Sequence, residues 1–204
     1  MAEFATHADP MDTGARIRLA DPEHDAAAVA AIYAPAVDGG IASFEERAPS
    51  ADEVAARMRR ILDRTPWLVA EHDSRVIGYA YAGPHLDRAG YRWSVNISVY
   101  VDSGFQGRGI GRRLYDDLLG RLRRQGFVNA YAGIALPNPA SLALHEAIGM
   151  RRVAVYERVG FKHGRWHDVA WYWLRLAEPV GVPAEPIALP DIQARGADAA
   201  PVSA

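Results

Sequence analysis

The residues from Gln106 to Gly111, QGRGIG, have the types and spacing of a phosphate-binding turn. Glycines let the backbone approach a ligand closely, and a helix that begins at such a turn points free N–H groups and about half a positive charge towards it. Arg108, Arg112 and Arg113 add cations at the same place. A Walker-type loop is excluded because no Gly-Lys-Ser/Thr follows, and a dinucleotide fingerprint read from Gly107 would need glycine where Arg112 stands. The turn therefore predicts another kind of pyrophosphate site.

Asn138, Ser141 and His145 form a second polar group, at positions i, i+3 and i+7 of a predicted helix. Because this spacing places them on one helical stripe, an amide, a hydroxyl and an imidazole can face the same ligand. Local structural roles stay open for all three: an N-cap for Asn138, a first-turn residue for Ser141 and a core or surface histidine for His145. The glycine-rich turn has a similar alternative, the simple packing of a helix against a strand.

Strand and helix patterns alternate between residues 16 and 178 and supply the elements that would position these groups. Ser50 and Glu53 form a capping box, and Asp73-Ser74 reads as the turn of a hairpin. The order β-α-α-β-β-β-α-β-α-β-β predicts a mixed α/β sheet with helices on both faces. The predicted strands cover residues 16–19, 67–72, 76–83, 93–101, 130–134, 153–158 and 169–176, and the predicted helices cover 25–36, 50–62, 110–122 and 139–148.

The two ends of the chain read as unstructured tails around one domain, residues 16–178. Residues 1–15 are small and polar, and residues 179–204 repeat Pro with Ala and Gly, which predicts a flexible segment without helix or strand. No apolar run has the length of a membrane span and no signal peptide is recognisable, so we expect a cytoplasmic protein without a membrane partner. A net charge of −2 argues against nucleic-acid binding. The absence of cysteine excludes a thiol nucleophile, disulfides and thiolate metal ligands.

The two polar groups together resemble the signatures of the GCN5-related N-acetyltransferases (GNAT family). Gln106-x-x-Gly109-x-Gly111 is similar to the family's coenzyme A pyrophosphate loop, and residues 138–150 are similar to its second signature. The segments 44–45, 66–71, 78–84, 98–101 and 160–168 resemble the branch of phosphinothricin, methionine sulfoximine and amino-acid N-acetyltransferases. The resemblance, which runs from about residue 17 to 176, implies the GNAT fold, with a mostly antiparallel mixed sheet.

The resemblance implies that acetyl-CoA is the co-substrate. No metal is expected, because His163 and His167, at positions i and i+4, flank Gly164 in a predicted loop. The resemblance places a backbone N–H of residues 99–101 on the thioester carbonyl as an oxyanion-type contact. His145 would lie near the leaving sulfur as an acid. The residues that it assigns to acetyl-CoA are Val99, Tyr100, Val101, Gln106, Gly107, Arg108, Gly109, Ile110, Gly111, Arg112, Asn138 and Ser141.

Asn96 is where this sequence departs from the branch, whose members carry a glutamate there that is taken to be the general base. A carboxamide accepts a hydrogen bond but takes no proton at neutral pH. Because a positioned base is typically worth about 10²–10⁴-fold, the loss would slow the reaction without abolishing it. Compensation by a water chain, by His145 or by Glu45 is open, and so is a role for Asn96 in selecting a different amine.

The predicted function is N-acetylation of a small amino acid or amino-acid analogue by direct transfer in a ternary complex. For the substrate carboxylate we expect Arg92 or, second, Arg88, because a forked guanidinium suits a carboxylate. Phe44 and Tyr81 are candidate pocket walls, and Lys162, His163 and His167 are expected to order the edge of the site or a dimer contact. Relatives suggest a homodimer. The alternatives are acetylation of a peptide or protein amine, and a non-catalytic acyl-CoA-binding module.

Overall fold

The computed structural model describes residues 14–178 and 181–198. These residues form one seven-stranded sheet in the order β1-β2-β3-β4-β5-β7-β6, in which only β4 and β5 run parallel. The predicted fold, a mostly antiparallel mixed sheet with helices on both faces, is therefore confirmed. The strands are β1 Arg16–Leu19, β2 Trp67–His72, β3 Arg75–Pro84, β4 Ser94–Val101, β5 Asn129–Ala135, β6 Arg151–Lys162 and β7 Arg165–Arg175; the α-helices are α1 Pro22–Asp38, α2 Ala51–Leu62, α3 Ile110–Gln125, α4 Pro139–Ala147 and α5 Leu189–Asp198.

Two apolar clusters lie on opposite faces of the sheet. Helix α3 packs its four-residue stripe, with Leu114, Leu118 and Leu122 fully buried, against one face. Helices α1 and α2 cover part of the other face, where Met58 and Tyr79 are buried. Because side chains alternate along a strand, β4 presents apolar side chains on one face of the sheet and more polar side chains on the other. Val95, Ile97, Val99 and Val101 face α3, whereas Asn96, Ser98 and Tyr100 face the α1 and α2 side.

Strands β4 and β5 pair over a short distance only. Their parallel register comprises Ser94 with Asn129, Val95 with Ala130 and Asn96 with Tyr131. Beyond these pairs β4 continues to pair with β3, and β5 continues to pair with β7. The two central strands thus part after Asn96 and Tyr131, and within the described chain the β5-facing edge of residues 97–101 has no strand partner.

Local sequence signals explain several element boundaries. The Glu53 N–H donates to Ser50 Oγ at 3.2 Å and the Ser50 N–H donates to Glu53 Oε2 at 2.7 Å, so the predicted capping box is present. The hydrogen bonds from the Arg47 guanidinium, and next from the Ser50 N–H, lower the pKa of Glu53 to about 2. Asp73 and Ser74 both have positive φ, 47° and 60°, as the predicted tight hairpin turn requires.

The segment around Gly164, which we expected to be a loop, is instead part of a long hairpin. Strands β6 and β7 extend to Lys162 and from Arg165, and His163 and Gly164 form the turn with φ of 50° and 74°. A two-residue turn of positive φ matches the twist of the flanking strands, so the pairing continues to the tip. His167 therefore lies in a strand, where it is buried.

The expectation that no helix forms after residue 179 is wrong for residues 189–198. Pro190 occupies the first turn of α5, where a missing N–H costs nothing. The segment before it is bound to the domain, because the Ile187 N–H donates to the carbonyl of Gln125 at 2.8 Å and Gln125 Nε2 donates to the carbonyls of Arg64 and Ile187 at 2.8 Å each. Of the predicted N-terminal tail, residues 1–13 lie outside the described residues, while Ala15 is buried in the core.

We expect Gln125→Leu to lower the free energy of unfolding by about 1–3 kcal/mol. The substitution would remove the hydrogen bonds that the buried Gln125 amide donates to the carbonyls of Arg64 and Ile187, and losing such bonds costs about that much. The Arg64 carbonyl would keep the Leu189 N–H at 3.1 Å. Arg124→Leu, at an exposed position one residue earlier, is the control and should change stability by no more than about 0.5 kcal/mol. Urea unfolding of both variants measures the difference, and equal stabilities would show that the C-terminal segment is not bound through Gln125.

Candidate active site

A cavity of about 580 Å³ opens where β4 and β5 part. Its lining comes from both faces of the sheet. Ile97 and Val99 belong to the face that packs on α3, and Ser98 and Tyr100 belong to the face on the α1 and α2 side. Helix α1 closes one side and the N-terminus of α4 closes the other. The lining residues from β4, β5 and α4 are Ile97, Ser98, Val99, Tyr100, Val101, Ala132, Gly133, Ile134, Ala135, Ser141 and His145, together with Asn138 at the N-cap of α4.

The predicted phosphate-binding turn lies beside this cavity. Gly107 and Gly109 have φ of 74° and 76°, in the left-handed region that favours glycine, and Gly109 is the N-cap of α3. Within residues 14–178 and 181–198, the backbone N–H groups of Ile110, Gly111 and Arg112 have no acceptor. Free donors at the start of a sixteen-residue helix form an anion site.

Two contacts hold the turn in this position. Gln106 lines the cavity and its Nε2 donates to the carbonyl of Val101 at 3.1 Å, which ties the turn to the end of β4. A Cβ on Gly111 would lie 3.1 Å from Leu144 Cδ2, so glycine allows α3 to approach α4 closely. The predicted cofactor residues of β4 and of the α4 N-terminus thus line one cavity together with Gln106, and the rest of the turn follows Gln106 beside it.

The arginines of the turn have different surroundings. Arg108 lies over the Phe105 ring at 5.3 Å, and Arg112 is exposed, 3.8 Å from Asp116. Both remain beside the free N–H groups, as expected for cations that accompany a phosphate site. Arg113 points elsewhere, since its Nη2 donates to the carbonyl of Ala15 at 2.6 Å. Arg113 therefore anchors the start of the domain instead of adding charge to the turn.

The role of His145 as a proton donor is not supported by its hydrogen bonds. His145 is buried, its Nδ1 donates to the carbonyl of Ser141 at 2.7 Å, and its Nε2 accepts from the hydroxyl of Tyr115 at 3.0 Å. Burial lowers the pKa of His145, which favours the neutral ring. A neutral imidazole with both nitrogens bound has no proton to offer the cavity. We correct the assignment accordingly: His145 positions Tyr115, whose side chain also lines the cavity.

Asn138 and Ser141 lie where the sequence predicts them. Asn138 is the N-cap of α4 and its Oδ1 accepts from the Ser141 N–H at 3.1 Å. The Ser141 hydroxyl is 3.3 Å from His145 Nδ1. Both residues also line the cavity, so the capping role does not remove them from reach of a ligand there.

Asn96 is bonded to a histidine that the sequence analysis did not single out. His85 Nδ1 lies 2.8 Å from Asn96 Oδ1, and the imidazole stacks on Tyr131 with ring centroids 4.1 Å apart. The two partners are eleven residues apart in the chain and meet because β3 and β4 fold back on each other. No local motif marks His85, and the one signal in the sequence is a titratable residue two positions after the predicted strand 76–83.

Glu45, which we considered as a replacement base, is neutralised by Arg57. Arg57 binds both carboxylate oxygens of Glu45, at 2.7 Å and 2.8 Å, and the Tyr33 hydroxyl donates a third bond at 2.9 Å. The Arg57 hydrogen bonds hold the pKa of Glu45 below its usual range. A carboxylate stabilised in its charged form accepts a proton less readily. Glu45 is therefore a structural partner of α2 and a poor base.

The predicted carboxylate ligands Arg92 and Arg88 do not lie in the cavity between the strands. Arg92 pairs with Glu185 at 2.7 Å, donates to the carbonyl of Ala89 at 2.8 Å and covers the Trp93 ring at 4.1 Å. Both arginines line a separate cavity of about 300 Å³ at the start of β4. Neither arginine therefore lines the cavity along residues 97–101, and Arg92 is already paired with Glu185.

Tyr81 and Phe44 have separate surroundings. Tyr81 stacks on Trp67, with ring centroids 4.4 Å apart, and lines a second cavity of about 860 Å³ between α1, α2 and β3. It is also the register partner of Ser98, which lines the first cavity. Phe44 packs on β6, since a Cβ on Gly160 would lie 2.3 Å from its ring. Tyr81 therefore remains a candidate wall of the pocket. Phe44, in contrast, packs the α1–α2 loop against the β6–β7 hairpin.

Lys162 and His163 bind the tip of the β6–β7 hairpin to the end of α1 and the loop that follows it. The buried Lys162 Nζ donates to the carbonyls of Val37 and Ser43 at 2.5 Å and 2.6 Å. His163 Nε2 lies 3.2 Å from the carbonyl of Gly40. His167 binds within the hairpin, 3.1 Å from the carbonyl of Lys162. Among the described residues no group of His, Asp and Glu side chains is arranged to hold a metal, and no helix is long and apolar enough to cross a membrane.

Comparison with known proteins is consistent with this geometry. Residues 17–171 match the family described as "Acetyltransferase (GNAT) domain". The chain is 40% identical to phosphinothricin N-acetyltransferase of Streptomyces viridochromogenes over 79% of its own length and 86% of that protein. It is 38% identical to the L-methionine sulfoximine/L-methionine sulfone acetyltransferase of Salmonella typhimurium, over 79% and 95% of the two lengths. A phosphinothricin acetyltransferase of Sinorhizobium meliloti, solved in complex with acetyl-CoA, superposes with a TM-score of 0.79 at 37% identity over 85% of this chain and 95% of that one.

The chain therefore belongs to the GNAT acetyltransferase family. Within the family it falls in the phosphinothricin and methionine sulfoximine branch, at about 40% identity over most of its length. The protein is an N-acetyltransferase.

We expect Gly109→Ala to weaken the binding of acetyl-CoA by about tenfold or more, or roughly 1.4 kcal/mol. A side chain at φ 76° is strained, so the turn must shift and the free N–H groups of α3 lose their alignment. Gly126→Ala is the matched control, because Gly126 caps the other end of the same helix with φ 87°. Calorimetry should show nearly unchanged affinity for the control. Equal affinities of the two folded variants would contradict the assignment of the turn.

Proposed function

We propose that the protein transfers the acetyl group of acetyl-CoA to the amine of a small amino acid or amino-acid analogue, of the phosphinothricin or methionine sulfoximine type, by direct transfer in a ternary complex. The observation that carries the proposal is the parting of β4 and β5 beside the free N–H groups of α3. An extended ligand would meet unpaired backbone groups along its length and an anion-binding site at its end. Because the sequence has no cysteine, an acyl-cysteine intermediate is excluded.

Acetyl-CoA would be held along the first cavity. The N–H groups of residues 107–112, with Arg108 and Arg112, suit the pyrophosphate. The unpaired edge of residues 99–101 suits the amide groups of an extended chain and supplies an N–H for the thioester carbonyl, where negative charge develops during transfer. Asn138 and Ser141 close the far side. These residues bind and orient the thioester, and its carbonyl and sulfur supply the acyl-transfer chemistry.

The amine would enter from the second cavity. Its wall contains the stacked rings of Trp67, Tyr79 and Tyr81, and it adjoins the first cavity where Tyr81 pairs with Ser98. A small amino acid also needs a cation for its carboxylate. Arg60 lines this cavity and, in the described part of the chain, has no carboxylate partner, so we propose it for this role in place of Arg92.

A homodimer is also proposed, through the outer strand of the sheet. Strand β6 is an edge strand and presents exposed apolar side chains along its length. Long apolar edges favour association with another chain unless they are covered. A second copy of this chain would cover them. The exposed large apolar side chains of the hairpin are Val153, Val155, Tyr156, Val159, Phe161 and Trp166.

A thiol-release assay with acetyl-CoA tests the proposed reaction, using free amino acids, methionine sulfoximine, phosphinothricin and short peptides as acceptors. We expect thiol release with a small amino acid or analogue. Arg60→Leu should raise KM for that acceptor by about tenfold or more but should affect its carboxamide much less, since a charge-assisted bond is worth roughly 1.5–3 kcal/mol. Arg59→Leu is the control, because Arg59 is paired with Glu23.

The outcomes of this assay separate the alternatives. Release with peptides only would favour a peptide or protein acetyltransferase. Acetyl-CoA binding without release for any acceptor would favour a non-catalytic module. If Arg60→Leu raises KM equally for the amino acid and its carboxamide, Arg60 does not bind the carboxylate. That outcome would not contradict the proposed reaction.

We expect Val155→Glu to convert a dimer into a monomer, because it places a charge in the middle of the proposed apolar contact. Light scattering coupled to size exclusion gives the mass of the particle. Arg152→Glu, an exchange of one exposed charged side chain for another on the same strand, is the control and should leave the mass unchanged. A wild-type particle of about 22.3 kDa would contradict the proposed dimer.

A further inference from the structure

His85 lies at the point where β4 and β5 part. Its partner Asn96 and the ring on which it stacks, Tyr131, are the last residue pair that joins the two strands. Two positions further along each strand, on the same face, Ser98 and Gly133 line the first cavity. Strand geometry makes that step about 7 Å. The imidazole therefore stands just beyond the lining residues at the closed end of the first cavity, on the face from which the amine would enter.

The hydrogen bond with Asn96 determines the tautomer of His85. Asn96 Oδ1 has no hydrogen and can only accept, so the bond of 2.8 Å requires the proton of the neutral imidazole on Nδ1. Nε2 then carries the lone pair. Among the described residues, no side chain other than Asn96 is hydrogen-bonded to His85, so Nε2 remains available to a ligand. Stacking on Tyr131 at an interplanar angle of 17° further restricts the ring.

We propose that His85 is the general base of the reaction and that Asn96 is its positioning residue. The inference rests on the proposed function. His85 Nε2 takes one proton from the substrate ammonium, directly or through one bound water. The neutral nitrogen forms the C–N bond to the acetyl carbonyl carbon while the C–S bond breaks. The sulfur leaves with the electron pair of that bond and gains the second nitrogen proton through solvent, and His85 returns its proton to solvent.

The other candidate bases are engaged elsewhere. Glu45 is held by Arg57 and Tyr33, and His145 has both ring nitrogens bound. Asn96 itself cannot accept a proton. His85, in contrast, combines a fixed ring with a nitrogen that no side chain of the described residues occupies, and histidine is a side-chain type that serves as a general base in enzymes. An imidazole oriented by an amide can thus supply the proton acceptor that Asn96 alone lacks.

The surroundings of His85 contain few groups that would obscure its titration. The titratable side chains in ring contact with it are Tyr131 from β5 and Tyr91 from the β3–β4 connection, at 4.1 Å and 6.4 Å. Strand β7 contributes Trp171, at 6.0 Å, and β4 contributes the uncharged Asn96. Asp87, two residues further along the chain, is exposed, and in the described chain no carboxylate forms an ion pair with His85. An acidic limb of the rate profile would therefore report the imidazole.

The test is the pH dependence of kcat/KM for the wild type and His85→Gln, with the acceptor identified by the thiol-release assay. Without the base, kcat/KM at pH 7 should fall by about 10²–10⁴-fold, the usual contribution of a positioned base. The loss should shrink towards pH 9–10, where more of the amine is already neutral. The affinity for acetyl-CoA, measured by calorimetry, should stay within about twofold. His24→Gln, at an exposed histidine on α1, should leave the profile unchanged.

Variants of Asn96 separate positioning from packing. Asn96→Asp keeps an acceptor for Nδ1–H and adds a charge that favours the imidazolium, so it should retain activity and move the acidic limb to higher pH. Asn96→Leu removes the acceptor and should lower kcat by about tenfold or more with little change in KM. A folded His85→Gln variant with wild-type rate and profile would overturn the assignment of His85 while the proposed reaction stood. A wild type that releases no thiol with any amine would overturn both.

Discussion

The early separation of β4 from β5 is the constraint on which the rest of the site depends. Every backbone N–H and C=O in a sheet interior needs a hydrogen-bond partner. Beyond Asn96 and Tyr131 the two central strands no longer form hydrogen bonds with each other. A ligand that lies between them completes the hydrogen bonding of the protein. The cavity and the open edge of β4 follow from this one interruption, and the N-terminus of α3 lies beside them.

The interruption is tolerated because each strand is held from its other side. Strand β4 pairs with β3 along its length up to Val101, and β5 pairs with β7 from Asn129 to Ala135. Helix α3 packs beneath the sheet with a fully buried stripe, and Gly111 lets it lie close to α4. The open donors are thus carried by rigid elements, so little reorganisation is needed when a ligand binds.

Several charged side chains around the site already have structural partners. Arg57 neutralises Glu45, Lys162 fastens the β6–β7 hairpin to the α1–α2 loop, and Arg92 pairs with Glu185. Such pairs stabilise the loops around the cavities, and the groups that form them are not free to take part in the reaction. The groups that remain near the site are consequently few, and His85 stands out among them because its one side-chain hydrogen bond orients the ring without occupying Nε2.

The sequence by itself determined the elements whose signals are local: the four-residue stripe of α3, the capping box at Ser50, the glycine turn and the N-cap at Asn138. It also determined the family, because these signals recur at family spacing. Only the tertiary structure decided that Arg92 faces away from the cavity and that His85 meets Asn96. Those contacts depend on strand register and on the direction of each strand end. A local pattern encodes neither, because the partners belong to different segments and meet only when the sheet has formed.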